Sequence, residues 1–139
     1  MSSINDIVVT ALEKIDVLNG DVWKGISNSD VGYKTFGEAY FSFIEPNKIK
    51  AWKCHKNMTL NLIAPVGSIF FVFIDANNNI REEKIGASRY VRLTVPPNIW
   101  FGFKGISTAD SILLNIADIK HDPLEVDRKD LSAYEYKWD

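Results

Sequence analysis

Turn signals at nearly regular intervals divide this chain into short apolar segments, and no other feature of the sequence limits its fold as strongly. Polar turn residues follow the apolar segments, at residues 45–47 (Glu-Pro-Asn), 77–79 (three asparagines) and 96–98 (Pro-Pro-Asn). Proline cannot donate a hydrogen bond to a β-ladder, and asparagine favours tight turns. Short strands at roughly even spacing are typical of an antiparallel sandwich or jelly roll, so we predict an all-β fold.

The predicted strands are rich in β-branched and aromatic residues, which favour extended structure. The longest apolar run, Ile69 through Ile74, lies in a segment that we expect to be buried on both faces of its sheet. The N-terminal segment 4–18 is ambiguous, because its apolar residues recur at helical spacing, which slightly favours a helix, while residues 7–10 form a β-branched run. The predicted strands cover residues 22–26, 39–44, 49–53, 60–64, 68–75, 90–95 and 111–116.

Length and composition predict one domain. The chain has 139 residues, of which 46% are hydrophobic, and a chain of this length buries enough surface to form a core without covalent staples. We therefore expect a single domain over residues 1–139. Cys54 is the only cysteine, which excludes an internal disulfide and favours a reducing compartment.

The counts of charged and metal-binding residues disfavour several classes of partner. Sixteen basic and eighteen acidic residues give a net charge of −2, which does not attract nucleic acid or an anionic membrane surface. His55, His121 and Cys54 are the only soft or borderline metal ligands, too few for a zinc finger. No apolar stretch approaches the ~20 residues of a membrane-spanning helix, and the start of the chain lacks signal-peptide features, so we expect a cytoplasmic protein.

A cluster of polar residues lies on the predicted strand that begins at Ile49. Residues two apart on a strand point to the same face, so Lys53 and His55 share one. If that face is the interior, two ionisable groups there would be costly without a ligand, which indicates a binding pocket. The alternative is an edge strand on which Lys50, Lys53 and Lys56 are solvated. The spacing alone does not choose between these two interpretations.

An aromatic and glycine-rich segment follows the prolines at 96 and 97. Its rings, including Trp100, are either core side chains, the commoner outcome in a small β domain, or a stacking surface for a nucleobase or sugar. In the second interpretation Lys104 meets a phosphate as a point charge. His121 precedes an Asp-Pro pair, which favours a turn rather than a site. Motifs for a phosphate loop, a nucleophile elbow or a pair of histidines one helical turn apart are absent from the sequence.

Several motifs occur together in this chain: the strand 49–55 (IKAWKCH), the Val-Pro-Pro at 95–97 ahead of an aromatic residue, the Gly-Phe at 102–103, and the ending Tyr-Lys-Trp at 136–138. In these residues the chain resembles the dTDP-4-dehydrorhamnose 3,5-epimerase family of cupins. A short branch of epimerase-like proteins is most similar, with a pattern that covers most of the chain. That pattern matches residues 36–42, Trp52, His55, 58–61, Trp100, 102–105 and 121–123.

The resemblance implies a cupin jelly roll, a double-stranded β-helix that is usually a homodimer and binds a nucleoside-diphosphate sugar in the mouth of its barrel. It also implies β structure for residues 7–15. The family's chemistry is metal-independent and uses no cofactor: a histidine removes the acidic proton beside the C4 keto group, and a tyrosine on the opposite face returns one. The implied substrate is a dTDP-4-keto-6-deoxyhexose in surface-polysaccharide biosynthesis.

Individual roles also follow from the resemblance. The family's diphosphate-binding arginine corresponds to Lys50, its base histidine to Lys53 and its acid tyrosine to Asn115, while Phe101 stands where a histidine commonly precedes Gly-Phe. His55 matches the pattern of the short epimerase-like branch. We expect either Lys53 or His55 to be the base, and in the second case Lys53 stabilises the enolate. A lysine base needs a pKa far below its ordinary value, and burial beside other cations lowers it.

The residue patterns and the resemblance together define the candidate site. Its catalytic candidates are Lys53 and His55. An alternative is a cupin that has lost its acid and base and only binds a nucleotide sugar or saccharide. A metal-dependent cupin would need two histidines and a carboxylate, and only His55 and His121 are available. The candidate substrate-binding residues are Lys50, Thr59, Asn61, Trp100, Lys104, Asn115 and His121.

Overall fold

Strands account for nearly all of the regular structure in this protein. The computed structural model describes residues 2–139, in which three short 3₁₀ turns are the only helical segments. The prediction of an all-β fold is therefore confirmed. Numbered in chain order, the strands are β1 (Val8–Ala11), β2 (Lys14–Ile15), β3 (Val22–Trp23), β4 (Glu38–Ile44), β5 (Ile49–His55), β6 (Leu60–Val66), β7 (Ser68–Ile74), β8 (Ile80–Gly86), β9 (Val91–Val95), β10 (Trp100–Gly105), β11 (Ser111–Ala117) and β12 (Val126–Arg128).

Ten of these strands form two antiparallel five-stranded sheets. The first sheet has the order β1-β9-β6-β11-β4, the second has the order β12-β5-β10-β7-β8, and β2 pairs with β3 separately. Most strands that are adjacent in a sheet are far apart along the chain; β11, for example, lies between β4 and β6. Two antiparallel sheets with this crossed connectivity form a jelly roll. The protein is a cupin jelly roll, as the resemblance implies.

The core lies between the inner faces of the two sheets. Leu62, Leu93 and Leu113 contribute to it from the first sheet, and Phe71 and Phe103 from the second. Alternation along each strand sends every second side chain to this layer. Full burial of a side chain such as Phe71 stabilises the fold by about 1.5–3 kcal/mol. The two sheets therefore share one apolar layer.

The N-terminal segment is extended rather than helical. Ile4–Asp6 form a single 3₁₀ turn, capped by the Ser3 hydroxyl, which accepts a hydrogen bond from the Asn5 amide at 3.1 Å. β1 then pairs antiparallel with β9 at the edge of the first sheet, with Val9 opposite Leu93. Pairing with an open sheet edge outweighs the apolar spacing. The slight preference for a helix over residues 4–18 was wrong, and the β structure that the resemblance implies for residues 7–15 is confirmed.

β7 is covered on both faces, as its unbroken apolar sequence predicts. Phe71 and Phe73 point into the core, while Val72 and Ile74 are buried on the outer face. The outer face is covered by the C-terminal strap, which we define as residues 131–139, and in particular by the ring of Trp138. The apolar sequence of β7 predicts its burial, but it does not show that the distant C-terminal strap provides the outer cover.

The C-terminal strap binds the second sheet through polar as well as apolar contacts. The Lys104 ammonium donates to the backbone carbonyl of Trp138 at 2.8 Å, and the Tyr136 hydroxyl donates to the Glu82 carboxylate. Gly102 makes this packing possible, because a Cβ there would lie 2.5 Å from the Cβ of Ala51 and 3.2 Å from the Trp138 ring. The strap is therefore an integral layer of the fold.

Three strands, β8, β10 and β12, were not predicted, and one is shorter than expected. The middle of β8 consists of four charged residues, Arg81 to Lys84, so it lacks the apolar pattern of a buried strand. β12 has only three residues and follows the predicted turn at residues 121–123. The predicted strand at 22–26 is limited to β3. No helix within residues 2–139 is long and apolar enough to cross a membrane.

Candidate functional site

A narrow cavity opens between the two sheets. Its volume is about 30 Å³, room for one or two water molecules. Apolar side chains form most of its wall, and the polar groups come from β4 and β11 on one side and from β5 on the other. The cavity is lined by Tyr40, Ser42, Lys53, His55, Leu60, Leu62, Phe101, Phe103, Leu113 and Asn115.

β5 brings Lys53 and His55 to the same wall of this cavity. The register between β5 and β10 shifts by one residue, because Lys53 pairs with Phe101 but Ala51 pairs with Gly102. Such a bulge sends Ala51 and Trp52 together to the outer face, where both pack in the aromatic cluster beneath the C-terminal strap. The alternation after the bulge then directs Lys53 and His55 inward.

His55 forms a buried pair with Glu125. The imidazole Nδ1 is hydrogen-bonded to a Glu125 carboxylate oxygen, and both side chains are more than nine-tenths buried. The second carboxylate oxygen accepts hydrogen bonds from the backbone amides of Asn57 and Met58, each at 3.2 Å. Glu125 reaches this position because the 3₁₀ turn Pro123–Glu125 leads directly into β12, which pairs with the end of β5.

The charge of Glu125 sets the tautomer of His55. Burial opposes ionisation of Glu125, but hydrogen bonds from His55, Asn57 and Met58 outweigh it and hold the pKa of this carboxyl below its ordinary value. An ionised carboxylate can only accept, so the proton shared with His55 belongs to Nδ1. In the neutral ring Nε2 then carries the lone pair, and within residues 2–139 the hydrogen bond of the imidazole is the one from Nδ1 to Glu125. This arrangement suits a general base.

Lys53 adds a second ionisable group to the same wall. Burial lowers the pKa of its ammonium, and the neighbouring charges of Arg128 and Lys50 lower it further. Arg128 lies directly across from Lys53 in the pairing of β12 with β5. The edge-strand interpretation was wrong, because β5 lies between β12 and β10. Lys50 and Lys56 are nevertheless exposed, whereas Lys53 lines the cavity.

The facing wall carries two hydrogen-bonded polar side chains. Asn115 on β11 pairs in register with Tyr40 on the neighbouring strand β4. Its amide nitrogen donates to the Tyr40 hydroxyl at 3.0 Å, while its amide oxygen accepts from the backbone amide of Asn61 at 3.1 Å. The cavity therefore has a histidine and a lysine on one side and a phenol on the other.

A cationic groove adjoins the cavity at the edge formed by β5 and β12. Lys53 belongs to both, so it connects the enclosed space to the outer groove. Lys50, Arg128 and Lys129 also line the groove, with Asp130 as its one acidic residue. Four basic side chains against one carboxylate make this the natural position for an anion next to the cavity.

Solved structures with this architecture include sugar-nucleotide enzymes. The crystal structure of a dTDP sugar isomerase from Desulfovibrio desulfuricans G20 has a TM-score of 0.92 at 28% identity, covering 96% of this chain and 90% of that one. This chain has the fold of the dTDP-sugar isomerases and 3,5-epimerases. The resemblance found in the sequence is thereby confirmed.

Two further structures extend this isomerase and epimerase fold to more distant sequences. A TDP-quinovose 3,4-ketoisomerase from Campylobacter jejuni has a TM-score of 0.78 at 23% identity, covering 91% of this chain and 95% of its own. A dTDP-4-dehydrorhamnose 3,5-epimerase from Bacillus anthracis, with TDP and PPi bound, has a TM-score of 0.81 at 16% identity, covering 98% and 87%. At these identities the likeness concerns the fold alone. Neither a protein-family model nor a curated protein sequence matches the chain.

The isomerase and epimerase fold brings together some of the residues predicted from the sequence. His55, Lys53 and Asn115 line the cavity, and Lys50 lies in the adjoining cationic groove, where its ammonium donates to the Phe43 carbonyl at 3.0 Å. Phe101, at the position of a family histidine, also lines the cavity and packs beside His55. These residues therefore remain the candidates for substrate contact.

The structure places two other predicted residues away from the cavity. Thr59 precedes β6, and its backbone amide donates to Asp118 at 2.8 Å. The Asn61 side chain donates to the Gly32 carbonyl at 3.1 Å and accepts from the Thr94 hydroxyl at 2.6 Å. Alternation on β6 directs Leu60 and Leu62 into the cavity and Asn61 to the opposite face.

Trp100, Lys104 and His121 likewise lie outside the cavity. On β10 the inward positions belong to Phe101 and Phe103, so Trp100 and Lys104 face outward and meet the C-terminal strap. His121 is exposed, and its backbone amide donates to Glu38 at 2.9 Å. The predicted turn is present there, because the Asp122 carboxylate caps the following 3₁₀ turn.

Two side chains of the candidate site, Glu125 and Tyr40, were not predicted from the sequence. Glu125 lies 70 residues from its partner His55, and no local spacing connects them. A weak signal existed for Tyr40, because Tyr40 and Ser42 alternate with Phe41 and Phe43 on one predicted strand. Among residues 2–139 no cluster of three or more histidine, cysteine, aspartate or glutamate side chains has the arrangement of a metal site.

Proposed function

We propose that this protein is an isomerase that acts on a dTDP-4-keto-6-deoxyhexose by removing and returning a proton next to the C4 ketone. The observation that carries the proposal is the buried His55–Glu125 pair, in which the imidazole lines the cavity between the two sheets with one ring nitrogen free of hydrogen bonds within residues 2–139. The fold shared with dTDP-sugar isomerases and epimerases supports the same substrate class. Synthesis of surface polysaccharides is the process in which we expect such an activity.

His55 is the base in this proposal. A carboxylate that accepts from Nδ1 orients the ring, keeps the lone pair on Nε2 and stabilises the imidazolium that forms when Nε2 takes a proton. Within residues 2–139 Lys53 forms no ion pair with a carboxylate, and the charges that lower its pKa are those of the cations Arg128 and Lys50. Of the two candidates that the sequence left open, the geometry supports His55.

Lys53 then stabilises the enolate. Removal of the proton next to the ketone places negative charge on the carbonyl oxygen, and a fixed cation in a partly desolvated site lowers the energy of that charge. Removing one such electrostatic group typically costs about 10²–10³ in kcat. The half-buried Lys53 ammonium shares the wall with His55, so one ligand can contact both.

The position of the nucleotide follows from the size of the cavity. At about 30 Å³ the cavity is too small for a nucleotide sugar, whereas the adjoining cationic groove has a volume of about 810 Å³. The diphosphate therefore extends from the sugar into the cationic groove, where Lys50, Lys53 and Arg128 provide positive charge. Because Lys53 belongs to both spaces, it lies near the junction of sugar and phosphate.

Proton exchange with solvent tests this function. Incubation of the protein with dTDP-4-keto-6-deoxyglucose in D₂O is expected to replace the sugar proton next to the ketone by deuterium, observed by NMR. His55→Gln is expected to slow exchange by about 10²–10⁴-fold. Lys56→Gln changes the next residue, an exposed side chain on the same strand, and is expected to leave exchange unchanged.

The same experiment separates the enzyme from a binding module. Similar structures with isomerase and epimerase names favour an enzyme over a cupin that only binds a nucleotide sugar or saccharide. Binding of TDP without any exchange by the unmodified protein would contradict the proposed activity and establish the binding module instead. We also propose a cytoplasmic location, which agrees with a chain whose single cysteine cannot form an internal disulfide.

We further propose that the protein is a homodimer, paired through an apolar face on the outside of the first sheet. Phe41 and Phe43 on β4 are 62% and 59% exposed, and β11 places Leu114 and Ile112 directly opposite them. We define these four side chains as the apolar face. A face of this kind marks an interaction surface, and a second copy supplies a matching apolar surface through two-fold symmetry.

A further inference from the structure

The C-terminal strap forms one side of the cationic groove. Ser132 and Ala133 line the groove together with β5 and the residues that follow β12. The strap also rests on the aromatic cluster of the second sheet, where the Trp138 ring lies 5.4 Å from the centre of the Trp52 ring and 6.4 Å from that of Phe70. The groove is therefore complete only while the strap is docked on the sheet.

Side chains, rather than strand pairing, hold the strap in place. Within residues 2–139, the backbone of the strap forms no hydrogen bond with the backbone of a strand. Its carbonyl groups accept from two side chains instead: the Trp52 indole donates to Leu131 at 3.1 Å, and the Lys104 ammonium donates to Trp138 at 2.8 Å. Segments with few backbone hydrogen bonds open at a lower free-energy cost than core strands do. The strap can therefore undock while the two sheets remain folded.

The docked strap also contains an unsatisfied donor. The indole nitrogen of Trp138 is buried and has no hydrogen-bond partner within residues 2–139. A buried donor without a partner costs free energy, and water satisfies this donor once the strap undocks. Burial of the ring favours the docked state and the unsatisfied donor opposes it. A ligand that binds only one of the two states can therefore shift the balance between them.

Lys129 connects the strap to the groove. It lines the groove, and its ammonium lies 4.3 Å from the centre of the Trp100 ring and 4.9 Å from that of Tyr134. The same ammonium donates to the Tyr134 hydroxyl at 3.1 Å, and since an ammonium has three N–H donors, others remain for an anion. Tyr134 belongs to the strap, so undocking removes the contacts with Tyr134 that fix this cation beside the groove.

We propose that binding of a diphosphate in the cationic groove and docking of the C-terminal strap are coupled, so that each stabilises the other. The coupling rests on the diphosphate position given by the proposed function, and it is independent of the isomerase chemistry. The docked strap supplies the wall at Ser132 and holds Lys129 in place, so an anion between them binds the docked state more tightly. Linkage requires that the anion favours docking by the same factor.

Cleavage by chymotrypsin measures strap docking, because the protease must bind an extended segment around Tyr134 or Tyr136. Cleavage of a transiently open segment follows its open population. Saturating TDP is expected to slow the release of the last residues, followed by mass spectrometry, by about tenfold. Thymidine, which lacks the diphosphate, is expected to leave the rate unchanged. Equal rates with and without bound TDP would overturn the coupling.

Trp138→Ala and Lys104→Met weaken docking without changing a side chain that lines the groove. Each is expected to speed cleavage of the strap and to weaken TDP binding, measured by calorimetry, by about 5–20-fold. Lys84→Met is the matched control for Lys104→Met, because it removes the same charge from an exposed position of the same sheet, and we expect it to change neither quantity.

Two results with these variants would contradict the coupling. One is faster cleavage of the strap with unchanged TDP binding. The other is an equal loss of binding in Lys84→Met and Lys104→Met, which would assign the effect to charge alone. Lys104→Met keeps every side chain of the strap, so it decides the question if Trp138→Ala also exposes cleavage sites in the sheets.

The coupling and the proposed function fail in different ways. Absence of TDP binding to the unmodified protein would overturn both the position of the diphosphate and the coupling. TDP binding without protection of the strap would remove the coupling alone and leave the isomerase to be tested by proton exchange. Protection of the strap by TDP in a protein that catalyses no exchange would support the coupling and contradict only the isomerase.

Discussion

Glu125 couples the candidate base to the stability of the fold. Its carboxylate accepts from His55 and from two backbone amides at the start of the segment that leads into β6. These hydrogen bonds place its pKa in the folded protein below the ordinary value of 4.5, although burial acts in the opposite direction. The folded protein therefore binds fewer protons at this site than the unfolded chain does.

Because the folded protein binds fewer protons at Glu125 than the unfolded chain, it loses stability as the pH falls. The contribution of Glu125 is complete above its ordinary pKa of 4.5 and is lost as the pH falls through the lower folded value. Glu125→Gln is expected to cost about 1–3 kcal/mol at pH 7 and to make the free energy of unfolding less dependent on pH below about 4.5. Urea unfolding of both proteins at several pH values between about 3 and 7, on either side of the ordinary carboxyl pKa, measures this.

Asp127→Asn is the matched control for this experiment. Asp127 lies two residues from Glu125 and has an exposed side chain, which meets Lys56 at 3.6 Å in a surface ion pair. Surface pairs of this type contribute about 0–1 kcal/mol. An equal loss of pH dependence in Asp127→Asn and Glu125→Gln would show that the general charge of this segment, rather than the buried pair, sets acid stability.

At the scale of single elements, the turn between β6 and β7 depends on one glycine. Gly67 has a φ of +83°, and a Cβ at this position would lie 2.2 Å from the Ser111 hydroxyl. Two hydrogen bonds hold the Ser111 hydroxyl in place: it accepts from the Ser68 amide and donates to the Ser68 carbonyl, both at 3.1 Å. Ser111, at the start of β11, therefore cannot move away from an added methyl group without breaking these hydrogen bonds.

Two glycine substitutions separate backbone strain from steric conflict. Gly20 also has a positive φ, +145°, but a Cβ there would meet nothing within 4 Å. Gly20→Ala is expected to cost about 1 kcal/mol through the backbone alone. Gly67→Ala is expected to cost at least about 1–3 kcal/mol more, because the added methyl group overpacks its surroundings. Equal midpoints in urea unfolding would contradict this account.

Several elements could be predicted from the sequence because their signals are local. β6, β7, β9 and β11 carry apolar or alternating patterns and end at turn residues, and their predicted bounds lie within two residues of the observed ones. β8 could not be predicted in this way, because an edge strand with the sequence of Arg81 to Lys84 resembles a polar loop. β1 was ambiguous, because its conformation is decided by pairing with β9, whose partner residues lie 80 to 86 positions further along the chain.

In the candidate site, too, the features set by local sequence could be predicted, and those set by long-range pairing could not. The shared face of Lys53 and His55 could be predicted from strand alternation, and the bulge at Trp52 does not disturb it because the shift precedes both residues. Glu125 could not be predicted, since only the pairing of β12 with β5 brings it to His55. The outward direction of Trp100 depends on which face of β10 meets the core, which the alternation leaves undetermined.

At the scale of the whole molecule, the apolar face predicts a change of assembly on mutation. Phe41→Lys places a charge at its centre, opposite Leu114, and burial of an unpaired charge is costly. The unmodified protein is expected to have twice the chain mass of 15.8 kDa in solution, measured by light scattering, and Phe41→Lys is expected to have the mass of one chain. Leu18→Ser, which removes an 89% exposed side chain elsewhere, is expected to remain dimeric.

The position of the C-terminal strap determines what intrinsic fluorescence can report. Three of the four tryptophans, Trp52, Trp100 and Trp138, lie together beneath or within the strap, on the outer side of the second sheet. The wall that faces the cavity contains no tryptophan. Emission from this protein therefore records whether its last residues are docked. Trp52 also lines the cationic groove, where the Lys129 ammonium lies 4.3 Å from the Trp100 ring. A diphosphate bound in that groove is therefore expected to change the emission, whereas a sugar confined to the cavity is not.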